Sequence, residues 1–215
     1  MTATRSNRIA QVLLIVMGFF VGIVLAIIVS KALLNDTSVL TKQQRKLDVD
    51  RAPVEYVRIP GLGRVAYQFL FEEISEPGES LDSFASRIGP RLRDYTAGSG
   101  YEACGVIASD GAGRYGVVIG TSRGHTVCVN FNARVPEGMK ATAQTIHSHT
   151  TMKQYRLTVS DLLVVGGGRV GAVQRGDDPE LFSEEDFEAP GYMVSGTTVW
   201  HQEGKSAVRK VGALP

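Results

Sequence analysis

Cysteine and histidine are both scarce in this chain: two cysteines, Cys104 and Cys128, and four histidines, His125, His147, His149 and His201, in 215 residues. Two cysteines are too few for a disulfide framework and lack the spacing of a zinc knuckle. They read as two small buried hydrophobes. If the folded part lies outside the cytosol, a single Cys104–Cys128 disulfide is the competing expectation. A surplus of charge is missing as well. Lys and Arg number 23 against 22 Asp and Glu, for a net +1, and the basic residues are scattered. That balance leaves no electrostatic footprint for nucleic acid, and no nucleic-acid partner is expected. No internal repeat is visible.

Residues 9–30, IAQVLLIVMGFFVGIVLAIIVS, lack charge altogether. A run of that length matches the roughly 20 apolar residues that span a bilayer. It exceeds the ~7–15 residues of a cleavable signal's apolar region, so the expectation is an uncleaved, single-pass signal anchor over 9–32. Residues 1–8 form a short tail carrying Arg5 and Arg8. Lys31, Lys42, Arg45 and Lys46 on the other flank pull against the positive-inside rule. A short tail before a span usually stays in the cytoplasm, which would place the remainder in the periplasm or outside. Residues 33–64 read as a polar stalk with turn-forming Pro and Gly, and 65–215 as the folded domain, long enough for one proper core.

Within that domain, residues 65–74 read as a strand. Leu81, Phe84, Ile88, Leu92 and Tyr95 recur at helical spacing, with Ser80 as N-cap and Gly98 as stop. Strands are expected over 101–109, 114–120 and 125–131, separated by Gly-rich turns. A fourth runs from Lys140 into Thr145-Ile146-His147-Ser148-His149. Residues 150–178 read as irregular. Short strands follow over 192–195, 198–202 and 207–211. Helix followed by mostly antiparallel strands gives an α+β fold, a sheet with helix packed on one face.

Side chains alternate faces along a strand, so His147 and His149 point the same way and can close on one metal ion. A catalytic zinc takes three protein ligands and keeps a fourth position open. The usual third ligand is a carboxylate, and a further carboxylate is needed to accept a proton from water. Glu102, which leads into an apolar strand, is one candidate. Asp186, in Ser183-x-x-Asp186, and Asp161, in Thr158-x-x-Asp161, are rivals for the third ligand. Each alone is weak evidence, because strand-end carboxylates are usually solvated and Ser-x-x-Asp is a common helix start.

Taken in order, Glu102-Ala103-Cys104-Gly105, then His147-Ser148-His149, then Phe182-Ser183-Glu184-Glu185-Asp186 resembles the JAMM (MPN-domain) zinc metallopeptidases. It looks closest to bacterial JAMM-like families of unassigned function, in which FSxxD precedes a Gly-Tyr strand; Pro190-Gly191-Tyr192-Met193-Val194 fits that form. The resemblance covers about residues 81–210. It implies an MPN/cytidine-deaminase-like α+β fold and a Zn²⁺ held by His147, His149 and Asp186. Glu102 would then be the proton-transferring base and Ser183 a group near the oxyanion. The implied substrate is a peptide or protein, cut at a peptide or isopeptide bond. Two departures stand out. Thr150 replaces the proline that follows the second histidine, and 33 residues separate His149 from Ser183. Thr158-Val159-Ser160-Asp161 comes nearer the short spacing, which keeps Asp161 in competition. Asp186 is preferred because FSEEDF and the strand after it match together.

Some members of this fold have lost ligands and serve as non-catalytic scaffolds, the alternative reading. A remoter one is nucleotide binding, since Gly166-Gly167-Gly168-Arg169-Val170-Gly171 contains G-x-G-x-x-G. That fingerprint requires a strand before it and a helix opening on it. His125 and His201 read as surface or half-buried structural histidines.

Overall fold

The computed structural model describes residues 52–61, 63–176 and 178–215. The tail, the apolar run and most of the stalk lie outside the described residues. Among the described residues no helix is long and apolar enough to cross a membrane.

Eight strands form one sheet in the order β1-β2-β4-β3-β5-β8-β9-β10. They are β1 (Val54–Ile59), β2 (Gly63–Ile74), β3 (Cys104–Ser109), β4 (Tyr115–Thr121), β5 (Lys140–Ser148), β8 (Gly191–Ser195), β9 (Thr198–Gln202) and β10 (Val208–Ala213). Every neighbouring pair is antiparallel except β5 with β8. A small second sheet pairs β6 (Gln154–Arg156) with β7 (Val173–Arg175). The fold is therefore α+β, a mostly antiparallel sheet with a helix packed on it.

That helix, α1 (Leu81–Ser99), starts where Ser80 accepts the Ser83 N–H and ends at Gly100, whose left-handed φ of 78° suits a residue without Cβ. It buries Phe84, Ala85, Ile88 and Leu92, packing against β5, β8, β9 and β10. Each fully buried Phe, Ile or Leu side chain contributes about 1.5–3 kcal/mol. On its last turn Thr96 Oγ1 meets Ser148 Oγ at 2.6 Å. That hydroxyl pair anchors the helix to the end of β5.

Three segments differ from expectation. Residues 54–59, read above as solvated stalk, form the edge strand β1, paired in register from Val54 opposite Gln68 to Ile59 opposite Gly63. The expected strand over 125–131 does not form; the segment is a loop, for reasons given below. Residues 150–178, read as irregular, hold β6, β7 and a short helix α2 (Val159–Val165) between them. The helix stop lies at Gly100 rather than Gly98.

Candidate metal centre

β5 lies between β3 and β8, and its last residues reach the end of the sheet. Ser148 donates its N–H to Ala103 O at 2.9 Å, and His149 donates its own to Val194 O at 2.9 Å. The strand alternation holds: Ile146 and Ser148 are fully enclosed on one face, while the rings of His147 and His149 stand together on the other, centroids 4.8 Å apart. Close approach of β5 and β8 depends on Gly191, where an added Cβ would lie 2.4 Å from Thr145 Oγ1. That contact brings the chain from Asp186 alongside the histidines.

The Nε2 atoms of His147 and His149 lie 3.0 Å apart. Asp186 Oδ1 is 3.3 Å from His147 Nε2, and Oδ2 is 3.5 Å from His149 Nε2. This group could hold a metal ion. Its members are oriented from behind. His149 Nδ1 lies 3.1 Å from Pro179 O, which accepts the Nδ1 proton, so that in the neutral ring the lone pair is on Nε2. Ser183 donates its N–H to Asp186 Oδ2 at 2.7 Å, and Asp186 returns its N–H to Ser183 Oγ at 3.4 Å. Ser183 thus acts on Asp186, at the start of the 3-10 turn Glu185–Glu188.

The charges follow from burial and crowding. Burial pushes His147 down to about 4, with His149 adding to the shift and Asp186 opposing it. Burial also disfavours protonated His149, yet its hydrogen bond with Asp186 and the field of Glu102 carry it above its ordinary value. Asp186 ends well below the usual carboxylate range: burial opposes ionisation, and the two histidines outweigh it. Only one of two imidazoles this close can carry a proton at little cost.

Glu102 precedes β3 and borders the same cleft as His149. Its N–H donates to Gly124 O at 2.8 Å, and its carbonyl accepts from Thr121 Oγ1 at 2.7 Å. Burial pushes its carboxyl up to about 8, against the pull of His149. It is a weakly acidic carboxyl poised to exchange a proton near neutral pH.

Asp161, the rival ligand, is brought elsewhere. Together with Thr158 it forms the capping box of α2. Its enclosed carboxylate accepts from Thr158 N and Oγ1, both at 2.8 Å, from His125 N at 2.6 Å and from Thr126 N at 3.2 Å. Oδ2 also lies 2.9 Å from His125 Nδ1. Burial works against this ionised state, but those donors hold its pKa below the ordinary value. Thr-x-x-Asp was a capping signal in plain sight.

Cys104 and Cys128 form a disulfide with Cα atoms 5.8 Å apart. With Asp161 it holds 122–128 as a loop against β3, which is why that stretch pairs with no strand. The loop carries His125, buried rather than on the surface. His201 is buried too, its ring 4.4 Å from that of Tyr192. Nothing in the sequence flagged His125 as a neighbour of the site. The glycine run has the wrong context for a dinucleotide loop: α2 precedes it and β7 follows it, with Gly166 as helix C-cap. In comparisons with protein-family models, curated proteins and solved structures, nothing matches the chain.

Proposed function

We propose that the chain is a membrane-anchored, zinc-dependent hydrolase of a peptide or isopeptide bond, related in architecture to the JAMM/MPN metallopeptidases. The observation that carries the reading is the cluster of His147 Nε2 and His149 Nε2, 3.0 Å apart, with the Asp186 carboxylate, whose Oδ1 is 3.3 Å from the first and whose Oδ2 is 3.5 Å from the second. Ligands about 2.05 Å from a tetrahedral zinc lie about 3.3 Å from one another. Two imidazoles and one carboxylate match the donor set of catalytic zinc sites. When bound, zinc supplies a Lewis acid and lowers the pKa of water.

The chain's own groups supply the rest. Glu102 accepts a proton at its carboxylate and returns it to the leaving amine. Pro179 and Ser183 fix the orientations of His149 and Asp186. The buried surroundings of His147 and Glu102 keep bulk water from screening the charges that develop. The uncharged apolar run 9–30, read as an anchor, and the Cys104–Cys128 disulfide support a site working outside the cytosol.

The test is metal content together with turnover. The full chain in detergent should hold one zinc per chain, lost in His147→Ala plus His149→Ala. Glu102→Gln should keep the metal and abolish hydrolysis of a peptide or isopeptide library. Zinc without any cleavage by the wild type would favour the scaffold reading; absence of zinc would end the hydrolase reading.

A further inference from the structure

Beside the candidate metal centre lies a small cleft of ≈50 Å³, lined by Glu102, His125, Thr126 and His149 and by Gly176 and Pro179. Two of these groups have no part in the reading above. One is Thr126, whose Oγ1 is enclosed with no hydrogen-bond partner among the described residues. The other is His125. Its ring stacks on Tyr155 at 4.8 Å with planes 21° apart, and tilts against Tyr101 at 5.0 Å. Asp161 Oδ2 takes the Nδ1 edge at 2.9 Å, and Asp161 Oδ1 takes the backbone N–H at 2.6 Å. A histidine gripped at backbone, ring face and one ring nitrogen has no rotamer freedom left to lose on binding a ligand.

Its tautomer follows. Asp161 accepts the Nδ1 proton, so in the neutral ring Nε2 is a bare acceptor. We propose that His125 is a substrate-binding residue, its Nε2 accepting a hydrogen bond from an amide N–H of a peptide lying in the cleft beside His149. The assignment rests on the hydrolase reading and names part of what that site selects: a chain with a free amide N–H next to the reacting bond, in preference to an ester or an N-alkylated residue. Asp161 is the positioning residue, acting through His125. Gly124 completes the arrangement: a Cβ there would lie 2.6 Å from Val127 O and 3.1 Å from Asp161 Oδ1, so the turn that presents His125 tolerates no side chain.

The test needs no turnover. The zinc-loaded full chain in detergent is titrated with acetohydroxamate, which offers only the metal-binding group. It is then titrated with a dipeptidyl hydroxamate and with versions of it methylated at each amide nitrogen in turn. In the wild type, methylation at one position should weaken binding about tenfold, the scale of a single hydrogen bond. In His125→Phe, which keeps the ring stack and removes the acceptor, that penalty should vanish while acetohydroxamate binds unchanged. If His125→Phe loses acetohydroxamate binding, His125→Asn, which keeps a donor for Asp161 but stops short of the cleft, takes its place in the same comparison. A penalty that persists in the variant, or none in the wild type, overturns the assignment alone. A wild type that binds neither zinc nor acetohydroxamate overturns the metal reading and this assignment with it.

Discussion

Cys104 stands directly across from His147 in the β3–β5 register, so the disulfide and the candidate metal centre share one rung of the sheet. The bond ties that rung to Cys128, 24 residues further along, and so to the loop bearing Gly124 and His125. Closing a loop of this size removes about 3 kcal/mol of freedom from the unfolded chain in the loop-entropy account. Unfolding in denaturant with and without a dithiol reductant should show a stability loss of that order. An unchanged midpoint would mean that the cysteines are not paired in solution.

Protonation of the metal-free centre sets a second expectation. Glu102, raised by burial to about 8, favours the fold below its ordinary 4.5, and that contribution is lost as the pH climbs through about 8. His149, raised from 6.5, acts with the same sign. His147, lowered from 6.5 to about 4, favours the fold above 6.5 and loses that contribution only toward acid. Stability in a chelator should therefore fall between pH 6.5 and 8. Zinc binding at pH 7 should release protons, as Glu102 ionises beside the cation and His149 gives up any proton held at Nε2, and fewer at pH 9. Calorimetry in buffers of different ionisation enthalpy measures both; a release that does not fall with rising pH would contradict the assignment.

The groups behind the ligands should matter less than the ligands and more than the surface. Ser183→Pro removes the N–H that holds Asp186 Oδ2 and should weaken zinc by about 10–100-fold. Ser183→Ala removes only the longer hydroxyl contact and should cost far less. Competition against a zinc-binding dye ranks the two, and equal losses would show that the backbone bond is not what orients Asp186.

Gly191→Ala probes the route by which Asp186 arrives. The new methyl would meet Thr145 Oγ1 at 2.4 Å and Thr145 O at 3.0 Å, an overpacking worth about 1–3 kcal/mol. Thr145→Ala in the same chain should recover part of the loss. Thermal melts of the single and double variants decide it.

What could be read in the sequence was what local spacing dictates. The α1 stripe, the two-residue alternation of His147 and His149, and the Ser183–Asp186 pair all follow from neighbours a few residues apart. What could not be read depended on distant partners. β1 alternates poorly and lies between Pro53 and Pro60, so only pairing with β2 reveals it. The alternation through His125, Val127 and Val129 imitates a strand, yet Asp161, 36 residues on, and Cys104, 24 residues back, hold it as a loop. Asp161 itself offered one motif with two meanings. As a cap it is spent on Thr158 and His125, and Asp186 is the carboxylate left for the histidines.

The lone parallel pair, β5 with β8, governs the order in which the centre can come into being on a growing chain. Parallel neighbours need a crossover between them, and here it spans everything from Thr150 to Pro190, with Asp186 near its far end. Both histidines leave the ribosome with β3, β4 and α1 already made. Asp186 comes tens of residues later and is brought in only when β8 docks, a contact of long sequence separation that forms slowly. A nascent chain paused before residue 186 would carry a half-built centre. Capture of a metal would then mark the moment at which the two halves of the sheet have joined.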